Sequence, residues 1–147
     1  MRFNYLYSLF LVFLFVACTV EPQPINYGSD ACEFCKMTIV DRQHAAELVT
    51  SKGKTYKFDA IECMANYLNR NSLNENSMAY LLVNDYNNPG VLIDVHKATF
   101  MISEEVPSPM GAFLSAFESK EFANSIAKEK NGELFDWNKL KSKYQVK

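Results

Sequence analysis

Two thiols and a thioether stand within six positions, as Cys32-x-x-Cys35-x-Met37, and a third thiol follows at Cys63, beside Met64. Two residues between the cysteines let both sulfurs turn inward on one ion, and soft thiolate and thioether donors favour Cu(I). A structural zinc site asks for four Cys or His ligands. The chain carries one Cys-x-x-Cys and no His pair at ligand spacing, so a zinc ribbon is disfavoured. A Cys-x-x-Cys can also be a redox pair when one thiol has a depressed pKa. Thioredoxin-like chemistry wants that pair at the start of a helix directly after a central strand, whereas here it precedes every strand legible in the sequence. Met110 lies in the turn Ser108-Pro109-Met110-Gly111, which makes it an exposed thioether and a further candidate donor. Each has a plainer reading: Met37 as core filler, Cys63 as a small buried hydrophobe. His44 and His96 are lone histidines near turns and read as surface residues before ligands.

The elements that must position these groups follow from pattern. Ala45 to Thr50 is a short apolar-rich run, Lys52-Gly53-Lys54 supplies a turn, and Thr55, Tyr56 and Phe58 resume a strand-like pattern, the signature of a hairpin. Asp59 is positioned as the N-cap of a helix whose apolar residues recur at helical spacing from Ala60 to Asn69, with Cys63 in its opening turn. Ala79 to Val83 is a further strand. The second half repeats this order loosely: Val91 to Val95 and Ala98 to Ile102 as strands, Ala112 to Phe117 and Glu121 to Lys128 as helix, Leu134-Phe135 as a short strand. A terminal helical turn starts at Asp136-Trp137. The fold class expected is α+β, two strand-strand-helix-strand units packed together, residues 30–86 and 87–147, related by an internal duplication. In that register Met110-Gly111 matches Cys63-Met64 at the opening of a helix, so the two halves would aim sulfur at a common cleft.

The ends set the compartment. Arg2 gives a positive start, and the run from Leu6 to Val16 is almost wholly apolar but too short to cross roughly 30 Å of hydrocarbon as a helix, so it reads as a signal peptide. Ala17-Cys18 at its end resembles a bacterial lipobox, with cleavage after residue 17 and lipid on the Cys18 thiol. Residues 18–29, with Pro22, Pro24 and Gly28, look like an extended tether between anchor and fold. The expected location is the cell envelope, lipid-anchored on the periplasmic side or at the outer membrane. Setting Cys18 aside leaves three of the four cysteines, an odd number for a disulfide framework, so at least one thiol is held for another purpose. A net charge of −2 leaves no electrostatic footprint for nucleic acid.

The combination Cys32-x-x-Cys35-x-Met37, Gly53-Lys54-Thr55-Tyr56-Lys57-Phe58-Asp59 leading to Cys63-Met64, and Pro109-Met110-Gly111 followed by Phe113 and Phe117 resembles the NosL family. The likeness runs in order from Asp30 to Trp137, with Lys36 standing where the family commonly has Gly. It implies a lipid-anchored Cu(I) chaperone whose fold is similar to a domain of organomercurial lyase. It also implies delivery of copper to ABC-type assembly machinery that serves nitrous-oxide reductase. Cys32, Cys35, Met37, Met110 and Cys63 become the expected metal ligands, with no catalytic residue. The rival readings are a thiol-disulfide oxidoreductase using Cys32 and Cys35, a lyase-like activity pairing Asp59 with a thiol, and a heavy-metal scavenger with no specific client.

Overall fold

The computed structural model describes residues 19–144, so the apolar N-terminal run and Cys18, expected to carry lipid, lie outside the described residues. Seven strands and three α-helices follow one another among them. The first group is β1 (Ala46–Thr50), β2 (Thr55–Phe58), α1 (Ile61–Arg70), a 3-10 turn at Glu75–Ser77, β3 (Met78–Asn84) and β4 (Leu92–Asp94). The second is β5 (Thr99–Ile102), β6 (Leu114–Phe117), α2 (Lys120–Glu129), β7 (Glu133–Phe135) and α3 (Trp137–Tyr144). Among the described residues, no helix is long and apolar enough to cross a membrane.

Both sheets are antiparallel, with strand orders β2-β1-β3-β4 and β6-β5-β7. In each, the first strand of its group sits centrally, flanked by the hairpin partner that follows it and by the strand that returns after the helix. The β1–β2 turn closes where the sequence places it: Gly53 takes φ +81°, and Thr50 and Lys54 pair across it, the Thr50 N–H donating to the Lys54 carbonyl at 2.9 Å.

Two expectations are corrected. Residues 112–117 do not form a helix, because Leu114–Phe117 is strand β6, buried at every position. Leu114 and Ala116 face the main core while Phe117 packs with Met101 and Ala123 on the opposite side. A short run apolar on both faces carries no alternation, so its period cannot separate strand from helix. The second correction concerns Leu92–Asp94, which adds to β3 and extends the first sheet. With these changes Met110-Gly111 falls in the β5–β6 connection, not at a helix start, and the equivalence drawn with Cys63-Met64 does not hold.

The main core is shared by both groups. Phe58, Ile61, Cys63 and Met64 lie in one buried cluster with Phe100, Leu114, Ala116, Trp137 and Leu140. The segment expected as a tether is docked from Gln23 onward. The Gln23 N–H donates to the buried Glu47 carboxyl at 2.7 Å, Lys57 donates to the Pro24 carbonyl, and Arg42 stacks its guanidinium over the Tyr27 ring.

Candidate metal centre

The Cys32–Met37 segment is a tight reversal closed on itself. Ala31 and Thr38 form a β-bridge, the Cys32 N–H donates to the Met37 carbonyl at 2.8 Å, and the Lys36 N–H returns to the Cys32 carbonyl at 3.0 Å. To make this turn Lys36 adopts φ +65°, a left-handed conformation that costs a side-chain-bearing residue roughly 1–2 kcal/mol. A glycine would take it freely; here a lysine bears it. The turn is pinned to β2 by the Glu33 N–H on the Lys57 carbonyl, 2.8 Å, and by the Lys57–Asp30 ion pair, 2.6 Å.

Cys63 comes to the same place from the first turn of α1. The ligand atoms of Cys32, Cys35 and Cys63 all lie within 4.8 Å of one another, and all three cysteines are free thiols. Cys32 and Cys63 are buried and Cys35 is partly exposed, so the cluster has a sealed floor and an open rim.

The three sulfurs are not electrically alike. The Cys32 thiol is drawn down to about 5, chiefly by the hydrogen bond it receives from Cys63. Burial opposes this, but the backbone N–H groups of Asp59, Cys35 and Phe34 also point at its sulfur. Cys63 is pushed up because it spends its proton on Cys32 and is itself buried. Cys35 is raised by burial first, although the Met37 N–H points at its sulfur. At neutral pH the cluster therefore holds one thiolate and two protons, ready to give up both protons to a soft cation.

The other predicted residues divide. Met37 and Met110 stand on the surface, 53% and 42% exposed, so neither is core filler and neither shares the buried floor with the thiols. His96 is exposed, as expected. His44 is not a surface residue: it is buried, with Nδ1 at 3.0 Å from Asp41 Oδ2 and Nε2 at 3.2 Å from Ser115 Oγ, bridging the start of β1 to β6. Asp59 does not cap α1. The N-cap is Ala60, with no side-chain cap. The Asp59 carboxyl is instead buried, takes the Val40 N–H, and is raised by desolvation with the nearby Cys32 charge adding to it.

Two participants escaped the sequence reading. One is the Asp59 backbone N–H, which no side-chain pattern can announce. The other is Glu62, buried beside Cys63, whose Oε1 accepts the Ser108 hydroxyl at 2.6 Å and the Ala112 N–H at 3.4 Å. Its signal was visible in principle: an acidic residue inside the apolar stretch Ile61-Glu62-Cys63-Met64-Ala65.

The profile of the family described as NosL matches residues 24–145, nearly all of the described chain. The chain belongs to the NosL family. Its fold is similar to that of the copper chaperone NosL from Shewanella denitrificans, known from a crystal structure. The TM-score is 0.70 over 82% of this chain and 95% of that one, at 19% sequence identity. No curated protein matches the chain. At that identity the structural likeness speaks for the fold. In this NosL-family chain, the case for a metal centre stands on its own three sulfurs.

Proposed function

We propose that the chain is a copper(I) carrier, not an enzyme, that holds the ion at Cys32, Cys35 and Cys63 and hands it on by ligand exchange. The single observation that carries this reading is the convergence of three free thiols within 4.8 Å, two buried and one at the rim. Three sulfurs and, among the described residues, no fourth carboxylate or imidazole donor in the cluster suit a soft monovalent ion better than tetrahedral zinc. Cys32 supplies the charge on arrival; Cys63 and Cys35 become ligands as they lose their protons. Release starts at the rim. A partner's soft donor adds to copper on the open side, the Cys35 sulfur departs and is reprotonated, and the two buried sulfurs follow. Met37 and Met110, both exposed, add thioether donors to the held ion and take part in that passage.

The reading extends to place and client. Lipid on Cys18 would confine the carrier to the cell-envelope membrane and raise its effective concentration near membrane-bound partners. A carrier of this family would then load the ABC-type assembly machinery of a copper enzyme, nitrous-oxide reductase being the client that the family suggests.

The test is titration of the reduced protein with Cu(I) against a competing chelator. Replacing Cys32 and Cys35 together by Ser abolishes tight binding; an unchanged affinity removes the motif from the site. The oxidoreductase reading makes the opposite demand. It requires disulfide exchange by Cys32 and Cys35 without metal, and persistence of that exchange in Cys63→Ser.

A further inference from the structure

We propose that Glu62 is a positioning residue of the copper site: it holds the loop that carries Met110 against the turn of α1 that carries Cys63. The argument starts from an oddity of placement. Glu62 is only 3% exposed, and its Oε2 is buried with no hydrogen-bond partner among the described residues. A buried polar oxygen without a partner costs stability, so an apolar residue here would serve the core better. What the carboxyl does instead is specific. Its Oε1 receives the Ser108 hydroxyl and the Ala112 N–H, two residues on either side of Met110.

The ends of the loop are held elsewhere, by Val106 buried in the second core and by the Ser103 N–H on the Phe113 carbonyl at 3.0 Å, whereas its apex is open. Gly111 turns at φ +74° with nothing within 4 Å of where a Cβ would stand, and Phe113 takes φ +57°. The Gly111 N–H closes a turn on the Ser108 carbonyl at 3.0 Å, and past Ala112 the chain pairs into β6. Met110 thus sits at the apex of a self-closed turn whose two feet rest on one carboxyl oxygen. That oxygen belongs to the residue preceding Cys63. The tether joins the β5–β6 connection of one sheet to the helix that supplies a thiol on the other. It therefore sets where an exposed thioether stands relative to the cluster.

This inference rests on the reading of Met110 as a copper donor, and the experiment separates the two. The Cu(I) affinity of the reduced full chain is measured for wild type, Met110→Leu, Glu62→Ala, Glu62→Gln and the double variant Glu62→Ala/Met110→Leu, with thermal unfolding run on each. Loss of a residue that supports a metal ligand typically costs 10–100-fold in affinity, so Glu62→Ala is expected to weaken binding roughly tenfold. Glu62→Gln keeps an oxygen acceptor for both donors and retains most of the affinity. In the Met110→Leu background, Glu62→Ala adds nothing further, because the group it positions is gone. A loss that persists undiminished in that background overturns the positioning role and leaves Met110 as a donor. A silent Met110→Leu overturns both the donor reading of Met110 and this proposal, while leaving the thiols untouched. Should Glu62→Ala fail to fold, Ser108→Ala removes one foot of the tether and leaves the carboxyl in place. It is expected to lose part of the affinity in wild type and none in Met110→Leu, and equal losses in both backgrounds count against the proposal.

Discussion

The two strand-strand-helix-strand groups share a topology and differ in what stands at the start of their helices. α2 begins as a sequence rule would have it, with Ser119 accepting the Phe122 N–H at 3.1 Å. α1 begins with Ala60 and no side-chain cap. In its place the Cys32 loop is folded over the approach to the helix, and the Asp59 N–H is aimed at the Cys32 sulfur. One group closes its helix on itself; the other leaves the corresponding spot to a loop that brings sulfur. The chemistry is therefore not a property of the repeated scaffold. It comes from residues 30–38, which precede the first strand, and from a helix start left free to receive them.

If that contrast is right, the groups differ in chemistry but not in folding, because they share a core. Phe100 on β5 is fully buried, packs against Trp137 with ring centroids 5.6 Å apart, and belongs to the same cluster as Ile61, Cys63 and Met64. Phe100→Ala is expected to cost about 3–5 kcal/mol, the range for deleting a buried aromatic ring. The loss should fall on both groups together. Trp137 fluorescence and the protection of Cys63 from a thiol reagent are then lost at the same denaturant concentration. Cys63 remaining protected while Trp137 unfolds would break the picture of one cooperative body.

The next effect is smaller at any one pH and belongs to the first group alone. The Cys32 thiol lies near 5 in the fold, against an ordinary value of 9.0. A group depressed on folding stabilises fully above its unfolded value and loses that contribution as pH falls toward its folded one. In the reduced metal-free protein, the stability gap between wild type and Cys32→Ser should therefore widen from pH 5 to pH 9. It grows by several-fold in the folding constant per pH unit, below the tenfold limit of a single proton. Above about pH 9 the sign reverses for Cys63 and Cys35, because their raised values make the unfolded chain give up those protons first. Urea midpoints across that range measure it, and a flat gap between pH 5 and 9 would mean that Cys32 holds its proton.

How much of this was legible depends on what kind of signal each feature leaves. The β1–β2 hairpin was readable because Gly53 marks its turn, and α1 because its apolar residues recur at helical period. β6 was misread because Leu114-Ser115-Ala116-Phe117 is buried on both faces, and burial on both faces erases alternation. The Cys-x-x-Cys announced itself by spacing alone. That Cys63 joins it was implied only by the family likeness, since convergence across a sheet and a helix has no spacing to read. His44 illustrates the reverse error. A lone histidine beside a turn looks like surface, but Asp41 and Ser115 satisfy both ring nitrogens inside the fold, and Ser115 lies 71 positions away. Asp59 had the right type for a cap and the wrong place: α1 starts one residue later, and the carboxyl is buried behind the cysteine loop.

The smallest expected effect tests the contrast most directly, because it acts on the group without chemistry. Ser119→Ala removes the hydroxyl that accepts the Phe122 N–H and should cost about 1 kcal/mol of stability, the usual worth of a serine N-cap. α2 packs on β5, β6 and β7, and no residue of it belongs to the thiol cluster. The Cu(I) affinity of Ser119→Ala should therefore equal that of wild type while its unfolding midpoint falls. The two readouts must separate: stability moves and binding does not. A parallel loss of copper affinity would mean that fraying at the start of α2 reaches the thiols through β6 and the Glu62 tether. The second group would then be part of the metal centre and not only the wall behind it.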